Sequence, residues 1–136
     1  MTAFAYPLTG LVTILSVLVF FWMMLQVGKA RRTHSVSAPI MTGPGAFNRV
    51  VRVHENTLEG LAMFLPALWL VALTTQDLWA AIIGIFFPVA RILYARGYYV
   101  SADKRGPGFL ISFLCTALLL LVALVMLARI AFTTYA

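Results

Sequence analysis

From Met1 to Gly28 the chain carries no charged residue, and from Gly106 to Ala128 it again carries none. As helices rising ~1.5 Å per residue, both runs are long enough to cross a hydrocarbon layer ~30 Å thick. Two less uniform segments lie between them, Phe47–Thr75 and Leu78–Val100. Their apolar halves are Leu61–Leu73 and Leu78–Ala90, and their other halves hold the charges. With 62% hydrophobic and 10% charged residues, a chain of 136 has more apolar surface than a soluble core of that size can hide. The expected fold is an all-α membrane protein: a four-transmembrane-helix bundle forming a single domain over 1–136, with spans at about 5–28, 47–75, 78–100 and 106–132. The first segment lacks the basic start and small-residue cleavage site of a signal peptide, so it is expected to stay as a helix.

Nine of the ten Lys and Arg residues, all but Arg129, flank the first and third connections. Cytoplasmic loops collect Lys and Arg, so both basic connections are expected in the cytosol, with the termini and the second connection, around Asp77, on the other side. The net charge of +6 is thus a topology signal. No alternation of basic and aromatic residues argues for a nucleic-acid partner.

The charges at the head of the second span are ordered. In FNRVVRVHENTLEG, Phe47 to Gly60, a helical turn of about 100° per residue puts Arg49, Arg52, Asn56 and Glu59 within roughly 80° of one another. Glu55 lies close beside them, and His54 points to nearly the opposite side. Charged groups at membrane depth are costly, so such a face is expected to meet a bundle interior or a wet cavity rather than lipid. Pro66 lacks the amide proton that would bond back to Ala62, and is expected to kink the helix.

Elsewhere the chain offers fewer candidates. Arg31 and Arg32 stand at the exit of the first span, where anchoring to lipid phosphates is as good a role as ligand binding. Pro39, Gly43, Pro44 and Gly45 force irregular backbone before the second span. Arg91, Tyr94 and Tyr98 recur at helical spacing on the third span, with Arg105 beyond them. Tyr99 is read as an interfacial aromatic and Lys104 as a topology charge. Cys115, between Ser112 and Thr116, reads as a small buried residue. No His or Cys pair has metal-ligand spacing, and neither a Ser-His-Asp set nor a phosphate-binding glycine loop stands out.

Taken together, these residues resemble the membrane-associated proteins in eicosanoid and glutathione metabolism (MAPEG), in particular the leukotriene-C synthase and microsomal glutathione transferase branch. The signature is Arg52, Asn56 and Glu59. ARR at Ala30–Arg32, TGPGAF at Thr42–Phe47 and ARxxYxxGY at Ala90–Tyr98 follow the same branch in order and spacing. Two positions depart from it: the tyrosine after the glutamate is here Gly60, and the proline that soon follows comes later, as Pro66. The resemblance implies a homotrimer holding glutathione, as co-substrate, between subunits. One subunit would supply Arg52, Asn56, Glu59, Tyr94, Tyr98 and Arg105, and the next Arg31 and His54.

The chemistry fits that assignment. Arginines such as Arg31 and Arg52 bind carboxylates through charge-assisted hydrogen bonds. Glu59 suits the glutathione ammonium, Tyr94 and Tyr98 can orient the tripeptide and donate to sulfur, and a guanidinium such as Arg105 stabilises the nucleophilic thiolate. The expected activity is a glutathione-dependent transferase, with peroxidase activity as an extension, acting on a lipophilic small molecule that approaches from membrane lipid. A non-catalytic lipid-binding scaffold of the same family and a glutathione-dependent isomerase are the alternatives. A small channel is disfavoured, because the charges cluster near one membrane face.

Overall fold

A computed structural model describes residues 5–135; Met1–Phe4 and Ala136 lie outside the described residues. Within them the chain is helical, and four helical stretches are long and apolar enough to cross a membrane. The first helix, α1, spans Pro7–His34. Proline at its start costs nothing, because the first helical N–H groups have no intrahelical partner. The next two, on Leu8 and Thr9, donate to Asp77 Oδ2 and Oδ1 at 2.9 and 2.7 Å, so the acid that opens the third span caps the first. At the other end Ser35 turns left-handed at φ 53°, and the Val36 amide closes back on the Arg31 carbonyl at 3.0 Å. Arg31 and Arg32 therefore sit inside the last helical turn rather than beyond it, where they complement the helix dipole.

Arg31 also shapes the connection that follows. Its Nη1 donates to the carbonyls of Ile40 at 2.7 Å and Ser37 at 3.3 Å, and its guanidinium lies 5.6 Å from the centre of the Phe47 ring. Helix α2, Gly45–Thr74, starts beside a reciprocal pair of bonds between the Asn48 amide and the Gly43 backbone, both 2.8 Å. It continues through Pro66 as one helix.

The third span is divided. Helix α3 covers Asp77–Gly84 and α4 covers Phe86–Val100, with Ile85 between them. Pro88 has no amide proton to offer the Gly84 carbonyl, so the ladder loses a rung at this point. Beyond α4 a single 3-10 turn, Ala102–Arg105, leads into α5, Gly106–Tyr135.

Packing concentrates along the interior face of α2. In the half nearer Asp77, Phe64 and Phe87 stack with ring centres 3.9 Å apart among Val12, Leu68, Val71, Ala80 and Leu119. Toward the basic end a second cluster joins Met23, Val53, Tyr94, Ala95 and Tyr98. Two buried hydroxyls bond within their own helices, Ser16 to the Val12 carbonyl at 2.8 Å and Thr57 to that of Val53 at 2.7 Å, which satisfies them away from water. Cys115 is buried and donates its Sγ proton to the Ile83 carbonyl at 3.2 Å.

Two glycines set the geometry at the basic end. A Cβ on Gly108 would collide with the Tyr94 backbone amide, and one on Gly97 with the Lys104 carbonyl. Their bare α-carbons let α5 lie directly on α4 and let the 3-10 turn fold back against it. Arg105 is brought beside Tyr98 as a result.

Candidate functional site

The polar face of α2 meets the tyrosine stripe of α4 just below the turn. Asn56, Tyr94, Arg105, Gly106 and Phe109 enclose a cavity of about 140 Å³. Arg105 Nη1 makes a long contact of 3.4 Å with the Tyr98 hydroxyl oxygen, and its guanidinium carbon lies 5.3 Å from the centre of that ring. Because the hydroxyl oxygen accepts, the Tyr98 proton is left to donate elsewhere. Tyr94 and Tyr98 are buried, whereas Arg105 and Glu59 are exposed.

A second cavity, of about 500 Å³, shares Asn56 and Phe109 with the first. Glu59 and Arg91 line it beside Gly60, and Met63, Phe87, Phe113, Thr116 and Leu120 complete an apolar chamber between α2, α4 and α5. A volume of this order accommodates a drug-sized apolar molecule. Gly60 contributes to the chamber by what it lacks. Its missing side chain leaves open space next to the Phe87 ring, which a Cβ would meet only at 3.4 Å, an ordinary contact.

Of the sequence-predicted residues, Asn56, Glu59, Tyr94, Tyr98 and Arg105 lie on or against these two cavities, whereas Arg52 lines neither. Within this group Asn56 Nδ2 donates to Glu59 Oε2 at 3.4 Å, and Arg52 forms a 3.1 Å ion pair with Glu55 on the exposed face of α2. Arg31 and His54 stand apart. The His54 ring stacks on Phe20 of α1 at 4.7 Å between centres, and Arg31 holds the first connection. Arg31 also lines a separate cavity of about 600 Å³ with Met24, Gly28, Arg32 and Ser35. Arg49, on the same α2 face, instead reaches the Tyr99 carbonyl at 3.4 Å, near the end of α4.

Arg91 is the residue whose part the sequence leaves unassigned. It is 3% exposed, yet it binds α2 and α5 at once. Nε and Nη2 donate to Thr57 Oγ1 at 3.1 and 2.7 Å, Nη2 also to Asn56 Oδ1 at 3.0 Å, and Nη1 to Ser112 Oγ at 3.4 Å. The periodicity shared with Tyr94 and Tyr98 was a signal for it. Periodicity reports the face a residue occupies and not how deeply that face is buried.

Comparison with known proteins matches residues 9–125 to the MAPEG family. An uncharacterised protein of Synechocystis is 44% identical over 115 residues, covering 85% of this chain and 84% of that protein. Leukotriene C4 synthase of Rattus norvegicus is 41% identical over 98 residues, 72% of this chain and 65% of its own length. Microsomal glutathione S-transferase 2 of Homo sapiens is 37% identical over 114 residues, 84% of this chain and 78% of that protein. A match running over most of the four-helix bundle, including both helices that carry the polar cluster, makes the chain a member of the MAPEG family of integral membrane proteins.

Proposed function

We propose that this protein is a glutathione transferase that activates the glutathione thiol at Arg105 and delivers it to a lipophilic electrophile held in the apolar chamber between α2, α4 and α5. Its class, a membrane glutathione-dependent transferase-type enzyme, follows from the family and from relatives named for that activity. Arg52 binds a glutathione carboxylate, Glu59 the ammonium, and Asn56 the peptide backbone between them. The sulfur lies by Arg105 and Tyr98. A fixed cation and a hydroxyl donor there stabilise the thiolate, and the thiol proton leaves to water. The thiolate then attacks an electrophilic carbon, forming a carbon–sulfur bond as the bond to the leaving group, or of a strained ring, breaks.

One observation supports this reading above the others: the cavity holding Arg105 and Tyr94 shares a wall with an apolar chamber between α2 and α5. Thiol activation and acceptor binding are thereby adjacent, which is what conjugation requires. A lipid-binding scaffold has no use for a cation at that junction. Arg31 and His54 stand apart from the other site residues, which supports their serving the site of a neighbouring copy in a homotrimer. Purified protein given glutathione and a chlorinated aromatic electrophile should form the thioether, and bound glutathione should absorb as thiolate in the ultraviolet near neutral pH. Tight glutathione binding with neither thiolate nor product would favour the scaffold.

A further inference from the structure

Arg91 is a buried guanidinium without a carboxylate. Among the described residues the only ion pair is Arg52–Glu55, and every hydrogen bond Arg91 makes ends on a neutral oxygen. Its guanidinium carbon also sits 4.0 Å from the centre of the Tyr94 ring. Burying such a group is expensive, and apolar side chains of similar volume commonly serve packing as well or better. What Arg91 touches distinguishes it from a packing residue. Two of its contacts, Asn56 and Tyr94, line the small cavity in which Arg105 is proposed to activate the thiol.

Arginine only donates, so the atom of Asn56 facing it must be the amide oxygen. With Oδ1 held at 3.0 Å from Nη2, the amide is committed to one of its two orientations, and Nδ2 is turned toward Glu59 Oε2 at 3.4 Å. The flipped amide would set donor against donor at Arg91 and acceptor against carboxylate at Glu59. Thr57 Oγ1 and Ser112 Oγ hold the guanidinium from behind, so its plane is fixed by α2 and α5 together.

We infer that Arg91 is a positioning residue for the glutathione site. It sets the amide orientation of Asn56 and, through it, the Glu59 carboxylate, while holding the Tyr94 ring. The inference rests on the proposed function for its ligand and on geometry alone for the relay. It implies that Arg91 acts on binding of the thiol substrate and not on the thiolate, which belongs to Arg105.

Full-length chain in detergent, with Arg91→Lys, Arg91→Gln, Asn56→Ala and the Arg91→Gln/Asn56→Ala double variant, tests it. Arg91→Gln should weaken glutathione binding about ten-fold and raise KM for glutathione by more than it lowers kcat. The double variant should bind no worse than the weaker single, because both break one relay. Losses that multiply, or a fall in kcat with binding unchanged, would overturn the inference.

If Arg91→Gln does not fold, Arg91→Lys keeps charge and length but cannot span Asn56 and Thr57 together, and should show the same split. A glutathione-free reading separates this idea from the function it rests on. In the wild type the Asn56 side-chain amide should give sharp, slowly exchanging nitrogen-15 resonances without ligand, and Arg91→Lys should broaden them. Failure of the wild type to bind glutathione, with those resonances ordered, overturns the function and supports the relay. Resonances equally ordered in Arg91→Lys overturn the relay.

Discussion

A charge inside an apolar helix has to be compensated, and this is why single side chains decide so much here. Replacing Arg105 with alanine should lower conjugation at neutral pH roughly ten-fold or more while leaving much of the glutathione affinity. Loss of a close cation moves thiol ionisation back toward the range of a free thiol, about 8.5, so activity should recover as pH rises through that value. Stopped-flow ultraviolet spectra and a pH–rate profile check both halves. Gly108→Val should act through shape alone: its side chain would drive α5 off the Tyr94 backbone, at a cost of about 1–3 kcal/mol read as a lower midpoint in thermal or denaturant unfolding. Asn56, Glu59, Tyr94, Tyr98 and Arg105 were legible as candidates because polar groups stand out against apolar surroundings. The relay through Arg91 was not, since it depends on which helices lie within a few ångströms. Nor was the place of Gly108, whose contribution is the absence of a side chain.

The helices themselves were the easiest part to read, since hydropathy and length suffice for a span. Their ends were harder, because local bonds set them. Helix α1 runs to His34, past the expected limit near 28, owing to the Ser35 cap, and the third span breaks at Ile85 ahead of Pro88. Asp77 offers a direct test of how elements are tied. Asp77→Ala removes both acceptors for the Leu8 and Thr9 amides, and should cost about 0.5–2 kcal/mol, with faster hydrogen exchange confined to the first turn of α1. Arg31→Ala should have a different signature. The connection after α1 loses its bonds to the Ser37 and Ile40 carbonyls, so proteolysis there should rise several-fold while the bundle's melting temperature stays nearly constant. Arg31 thus has a task within its own chain, one invisible in sequence because its partners are backbone oxygens.

For the whole molecule, the separation of Arg31 and His54 from the other site residues motivates a shared site. Mixed assemblies of His54→Ala and Arg105→Ala subunits should recover part of the activity that each lacks alone, measured after mixing is confirmed by dual affinity tags. Complete absence of rescue would confine the site to one subunit. The break at Ile85 carries a consequence for how such an assembly can change. It divides the third span into an eight-residue footing, tied through Asp77 to α1, and a fifteen-residue lever bearing Arg91, Tyr94 and Tyr98. The footing bears first on how the bundle is tied together and the lever on the chemistry of the site, and the two meet where Ala80 and Phe87 share one core. A substitution at Phe87 is therefore felt twice, as a change in the wall of the chamber and as a change in the footing's anchorage.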